Sequence, residues 1–205
     1  MSSDGDLWAP RRIRRRLRKL GRRPQISDER ISDIDRSQLV DAAVLIALTE
    51  IDEQMCAVFT RRPDSMPEHS GEISFPGGRR EELDPGLIST ALREAEEEIG
   101  LQPDDVTVCG NLVCMPTVTG YEVTAFVGEF AQPYELEPDP REIETLFLAP
   151  LPVLADPQRH RTEKHRWREF EFDIHYYDYD GHVIWGATGY MLHLLLTFLT
   201  EGDVG

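Results

Sequence analysis

"REAEEEIGL", residues 93–101, is the stretch on which the reading of this chain turns. Four glutamates, Glu94, Glu96, Glu97 and Glu98, fall within five positions, and Gly100 follows them. The surrounding segment "LISTALREAEEEI", 87–99, has helical spacing. With Glu94 at 0° and about 100° per residue, Glu97 falls at about −60° and Glu98 at about +40°, so these three carboxylates share one face. Ala91, Ala95, Ile88, Ile99 and Leu92 fall between roughly 60° and 160° and form the buried stripe. Glu96 lies beyond that stripe, at about 200°, and reads as solvated.

Taken alone the arrangement is unfavourable. Like charges three and four residues apart repel by about 0.2–0.5 kcal/mol per pair. Gly100 is a natural helix terminator, which puts the carboxylates at the negative end of the helix dipole. Arg93 offsets part of this by pairing with Glu97. A divalent cation would remove both penalties, and hard ions such as Mg²⁺ and Mn²⁺ favour carboxylate and carbonyl oxygens. The bland alternative, a glutamate-rich solvated face, is outweighed by what lies upstream. "EISFPGG", 72–78, reads as a short strand ending in two glycines, and a polar turn separates it from the helix. Glycine lets the backbone come close to a ligand, so the Gly78 carbonyl is expected near Glu94, Glu97 and Glu98.

Outward from there, the pattern predicts strands over 41–50 and 54–62 around an acidic turn, then a loop over 63–71. Further strands are expected over 106–114 and 121–130, and "EIETLFLAPL", 142–151, leads into an irregular stretch. "REFEFDIHYYDYDGHVIWG", 168–186, alternates like an edge hairpin turning near Asp180-Gly181, with Trp185 reading as core. An apolar helix is expected over 187–199. Strands with one or two packed helices imply an α+β layered fold. Residues 1–36 read as a basic, partly flexible leader, and 37–201 as the domain.

The formal charge is −16, yet "RRIRRRLRKLGRR", 11–23, carries nine of the 22 basic residues, so the remainder carries about −25. So acidic a body disfavours nucleic acid as the main partner. The basic segment could itself meet nucleic acid, a membrane surface or a partner, but the preferred reading is a short helix with Ile13, Leu17 and Leu20 inward, docked on that body. No apolar run reaches the ~18 residues of a membrane span. Cys56, Cys109 and Cys114 lack CxxC spacing and read as reduced thiols, which favours a cytoplasmic protein. The six histidines show no metal-ligand spacing, and none is read as a ligand.

With these residues in place, the chain resembles the Nudix hydrolases, whose pattern is G-x5-E-x7-R-E-U-x-E-E-x-G-U with U aliphatic. Arg93-Glu94-Ala95, Glu97-Glu98 and Gly100-Leu101 match its second half, and Gly78 matches its start. Two departures stand out: the spacing from Gly78 to Arg93 is one residue longer, and Asp84 occupies the early glutamate position. The lengthening resembles the coenzyme A pyrophosphatase branch, which carries an extended motif before the box. "VFTRRPDSMPEHSGEISFPGG" fits that motif at Thr60, Arg62, Gly71 and Phe75-Pro76-Gly77-Gly78; "TVTGYEVTAFVG" and "VIWGATGYML" are similar to it too. A signature arginine is replaced by Pro67.

The resemblance implies an α/β/α sandwich with a mixed central sheet and a catalytic helix. It implies Mg²⁺ or Mn²⁺ held by Glu94, Glu97, Glu98 and the Gly78 carbonyl, and hydrolysis of a pyrophosphate bond in a small nucleotide derivative. In the coenzyme A branch the products are 3′,5′-ADP and 4′-phosphopantetheine. Arg93 is expected to orient a glutamate. Arg62 and Arg79 are expected near substrate phosphates. Glu97 or Glu98 is expected near the attacking water as well, with Glu142 and Glu144 as alternative bases from outside the box. Exposed edge strands would suit a homodimer. The alternatives are another substrate of the same class, such as ADP-ribose or a nucleotide sugar, and a non-catalytic nucleotide- or RNA-binding module on the same fold.

Overall fold

The computed structural model describes residues 7–20, 26–27, 36–64, 71–167 and 170–200. In chain order, helix α1 spans Pro10–Leu17, and strands β1, β2 and β3 span Ile26–Ser27, Val40–Ile51 and Gln54–Arg61. Two short strands follow, β4 (Ile73–Ser74) and β5 (Gly77–Arg79), then α2 (Leu87–Ile99). Strands β6 (Thr107–Pro116), β7 (Tyr121–Glu129) and β8 (Thr145–Pro150) precede the short α3 (Leu151–Leu154). The chain closes with β9 (His160–Trp167), β10 (Phe170–Tyr179), β11 (His182–Ile184) and α4 (Gly186–Thr200).

Strands β1 to β8 form one mixed sheet ordered β1-β6-β7-β2-β3-β4, with β5 also on β2 and β8 on β3. The β2–β7 and β1–β6 pairs are parallel and the others antiparallel. Strand β2 sits centrally and is apolar on both faces. Ala43, Leu45 and Ala47 join Ala91, Ala95 and Ile99 of α2 in one core. Ala42, Ile46 and Leu48 face a second core with Leu192, Leu195, Leu196 and Leu199 of α4. The two-residue period of a strand assigns alternate residues to opposite layers, and the result is a helix–sheet–helix sandwich. The alanines on both sides of the first core let α2 lie close to the sheet. Residues 52 and 53 close the β2–β3 hairpin with positive φ angles of 48° and 61°, the backbone form that a two-residue turn requires.

A separate three-stranded sheet, ordered β11-β10-β9, packs with α4 on the second core. Two sequence expectations change here. Strand β10 is central in this sheet, not an edge, because "HRTEKHRW" forms β9 within the stretch read as irregular. The side chains of residues 161–166 are exposed, so β9 carries no apolar alternation to betray it. Trp185, read as core, is 43% exposed and stacks on Tyr176. Helix α1 is seated by Ile13, Leu17 and Leu20, all buried, and Arg14 reaches Glu50 and Glu129. All three cysteines are unpaired: Cys56 is buried, and Cys109 and Cys114 are half-buried. Burial raises each thiol's pKa. Among the described residues, no helix is long and apolar enough to cross a membrane.

Candidate active site

Strand β5 delivers the glycines and α2 the carboxylates, and the two elements pack directly. Gly77 pairs with Val44 and Gly78 with Ala43, which holds β5 against the central strand. A Cβ on Gly77 would lie 2.4 Å from the Ala43 carbonyl oxygen, and one on Gly78 would lie 2.5 Å from the Glu94 carboxylate. Close approach is therefore what requires glycine at both positions. At its far end, α2 stops on Gly100, whose φ of 70° is left-handed. The Leu101 amide then donates to the Ala95 carbonyl and the Gly100 amide to the Glu96 carbonyl. The amides of Glu137 and Asp139 donate to the Ile99 and Glu98 carbonyls. That ties the 137–142 segment to the same end of the helix.

The carboxylates differ sharply in environment. Glu98 is 2% exposed. It accepts from the Gly77 amide at 3.2 Å and lies 3.5 Å from an Arg62 nitrogen. Burial pushes its pKa up to about 8, against the lowering pull of Arg62 and the Gly77 amide, and the Glu94 and Glu142 charges raise it further. Glu94 is largely buried, and desolvation raises its pKa too, opposed by Arg93. Glu97 is 58% exposed and pairs with Arg93 at 2.8 Å, as the four-residue spacing predicts. Glu96 points to solvent.

Arg93 organises this face. Its guanidinium reaches Glu94 at 2.9 Å, Glu97 at 2.8 Å and the Arg79 carbonyl at 3.1 Å. Its strongest partner was not assigned a role from the sequence: Asp84, which accepts two bonds from Arg93 at 3.1 Å each. Asp84 is 6% exposed and also accepts from the Glu81 amide and the Thr90 hydroxyl, both at 2.9 Å. Those donors, Arg93 foremost, hold its carboxyl well below the usual range, and the bonds to Asp84 in turn raise the Arg93 pKa. The signal was available: Asp84 stands where the box pattern has glutamate, and an arginine fork needs a carboxylate opposite it.

Of the remaining expected residues, Arg62 is brought to the site and Arg79 stands exposed at its rim. Glu142 acts electrostatically on both Glu94 and Glu98, whereas Glu144 is paired with Arg61. Pro67 lies outside the described residues. The donor set suits a hard divalent cation. It comprises two largely buried carboxylates with raised pKa, a third at the surface, and a backbone held close to them that a methyl group would displace.

A family profile described as NUDIX domain matches residues 39–178. Nudix hydrolase 15, mitochondrial, from Arabidopsis thaliana is 37% identical over 167 residues, covering 78% of this chain and 59% of that protein. An uncharacterized Nudix hydrolase, NudL, from Photorhabdus laumondii is 34% identical over 168 residues, covering 82% of this chain and 87% of its own length. This chain thus spans little more than half of the plant relative and most of the bacterial one. Among solved structures, a MutT/nudix family protein from Enterococcus faecalis aligns over 77% of this chain and 60% of its own, with 14% identity and a TM-score of 0.48.

Proposed function

This chain belongs to the Nudix hydrolase family, and from that premise we propose that it cleaves the pyrophosphate bond of coenzyme A or an acyl derivative. The products would be 3′,5′-ADP and 4′-phosphopantetheine or its acylated form. One observation carries this reading. The stretch "VFTRRPDSMPEHSGEISFPGG" resembles the coenzyme A branch, and its two ends meet at the carboxylate helix. Arg62, near its start, lies beside Glu98, and Gly77 and Gly78, at its close, pack on Glu98 and Glu94.

Glu94, Glu97, Glu98 and the Gly78 carbonyl would hold Mg²⁺ or Mn²⁺. Bound there, such an ion would neutralise phosphate charge and lower the pKa of water. The protein's own groups do the rest. Arg93, clamped by Asp84, keeps Glu94 and Glu97 from splaying into solvent. Arg62 and the exposed Arg79 meet phosphate oxygens from the strand side. Water attacks one phosphorus, the bridging P–O bond breaks, and the leaving phosphate departs with that oxygen. The proton shed by the water passes to a carboxylate, and Glu142, beside the buried acids but itself exposed, is the candidate acceptor. We place the enzyme in the cytoplasm on the strength of its three unpaired thiols; the plant relatives carry organellar names.

The test is incubation of the purified protein with coenzyme A and either Mg²⁺ or Mn²⁺, with products identified by mass. Release of 3′,5′-ADP is expected. If coenzyme A survives while ADP-ribose or a nucleotide sugar is hydrolysed, the substrate assignment fails and the enzyme class stands. Pro67, in place of a signature arginine, is the observation that favours that second reading.

A further inference from the structure

Three histidines that no sequence spacing connects come together on the opposite face of the main sheet from α2. His160 begins β9, His175 lies in β10 and His193 in α4. Each offers a ring nitrogen, and these nitrogens all lie within 4.8 Å of one another. His175 is 9% exposed and the other two are half-buried. His160 Nε2 and His175 Nδ1 are 2.9 Å apart, and the Tyr177 hydroxyl meets His193 Nδ1 at 3.1 Å. Thr162 Oγ1 stands 3.4 Å from His160 Nε2.

We propose that His160, His175 and His193 form a binding site for a borderline-soft divalent metal, Zn²⁺ foremost, that fastens the β9–β10 hairpin to α4.

The chemistry of the donors selects the ion. Three imidazoles suit Zn²⁺, Ni²⁺ or Cu²⁺, whereas Mg²⁺ and Mn²⁺ prefer the oxygen set on α2. The molecule would then hold two metal sites of different preference on opposite faces of one sheet. Zn–N bonds of about 2.0–2.1 Å in tetrahedral geometry put ligand nitrogens about 3.3 Å apart. The His160–His175 pair is already near that spacing, and the widest pair needs to close by about 1.5 Å. The rings are nearly parallel: His175 and His193 stack at 3.8 Å with 14° between planes, and His160 and His175 lie 8° from parallel. Lone pairs lie in the ring planes, so convergence on one ion requires at least one ring to turn about its Cβ–Cγ bond. His160 and His193, the two half-buried rings, are the ones the proposal requires to turn. Tyr177 is the kind of neighbour that sets the orientation of a ligating histidine.

A satisfied histidine stack is the rival explanation, and it predicts no stoichiometric metal. The test uses untagged, chelator-stripped protein in which Glu94, Glu97 and Glu98 are all glutamine, so that the carboxylate site is silent. Equilibrium dialysis against Zn²⁺ is expected to load one ion per chain and to raise the melting temperature, with Mg²⁺ in excess failing to compete. Co²⁺ is expected to give the visible bands of a four-coordinate site. His160→Gln and His193→Gln, placed separately in that background, are each expected to weaken Zn²⁺ binding more than about 100-fold. Circular dichroism checks their folding. Absence of a bound Zn²⁺ in the carboxylate-silenced protein would overturn the proposal, whatever the histidine variants do. Binding that both histidine variants retain would overturn it equally.

Discussion

Helix α1 packs five arginines into eight residues, and α2 packs four glutamates into five. In α1 the crowding is relieved by exposure and by partners. Arg11 and Arg15 face solvent, Arg14 bridges Glu50 and Glu129, and Arg16 donates to the Phe198 carbonyl. In α2, Glu96 and Glu97 are exposed, but Glu94 and Glu98 are carried inward. Among the described residues, Glu98 meets a long contact to Arg62 and one amide, too little to offset its desolvation. Charge density alone therefore does not mark a functional face. An acid held under cover with incomplete compensation is the better marker, because burial shifts its pKa at a cost that functional sites characteristically carry.

The most direct way to break this comparison is to neutralise the buried acids. Glu98→Gln and Glu94→Gln are each expected to lower turnover on the order of 100-fold or more while far-UV circular dichroism stays unchanged. Equal loss in Glu96→Gln, which should leave activity intact, would show that burial does not separate the functional glutamates from the rest. Next in size is Asp84→Asn. It leaves Arg93 facing a half-empty fork in a largely buried place, at an expected cost of about 3 kcal/mol in urea denaturation. It should also blunt the stabilisation by Mn²⁺, since Glu94 and Glu97 lose their brace.

The pH dependence sharpens the comparison. Glu98 titrates near 8 when folded, against an ordinary value of 4.5. Its proton therefore favours the folded state, so its contribution is complete below about 4.5 and is lost as pH rises through about 8. Metal-free protein should lose melting temperature between pH 6 and pH 9, and the Glu98→Gln variant should lose less. The gain from added Mn²⁺ should grow over the same interval, because the ion must displace that proton. Asp84 works in the opposite sense, its stabilisation being lost only in acid. The smallest effect belongs to α1. The Arg14 pairs are half-exposed, so Arg14→Ala should cost at most about 1 kcal/mol, and less as salt is added.

The carboxylate face of α2 and its terminus at Gly100 were legible in the sequence because helical period and a left-handed glycine are local facts. So were strands β2, β3, β6 and β7, whose apolar residues follow the period of a strand buried on one or both faces. What the chain hides is anything fixed by partners distant in sequence. Glu97 and Glu98 are neighbours in the chain and share the carboxylate face, yet one is exposed and the other buried, and it is Glu98 that accepts the Gly77 amide. Asp84 stood out only as a departure from the box pattern, and its bonds to Arg93 and Thr90 come from the fold. Strand β9 pairs through its backbone and advertises nothing in its side chains. The three histidines sit 15 and 18 positions apart in the chain, on elements whose meeting only the tertiary fold creates.

The seat of α1 carries a practical consequence. The family profile begins at residue 39, yet Ile13, Leu17 and Leu20 are built into the same core as α4. A gene trimmed to the profile match would strip a lid from that core, leave an oily patch facing water and take Arg14 from Glu50 and Glu129. The segment that the family profile matches is smaller than the core it helps to build.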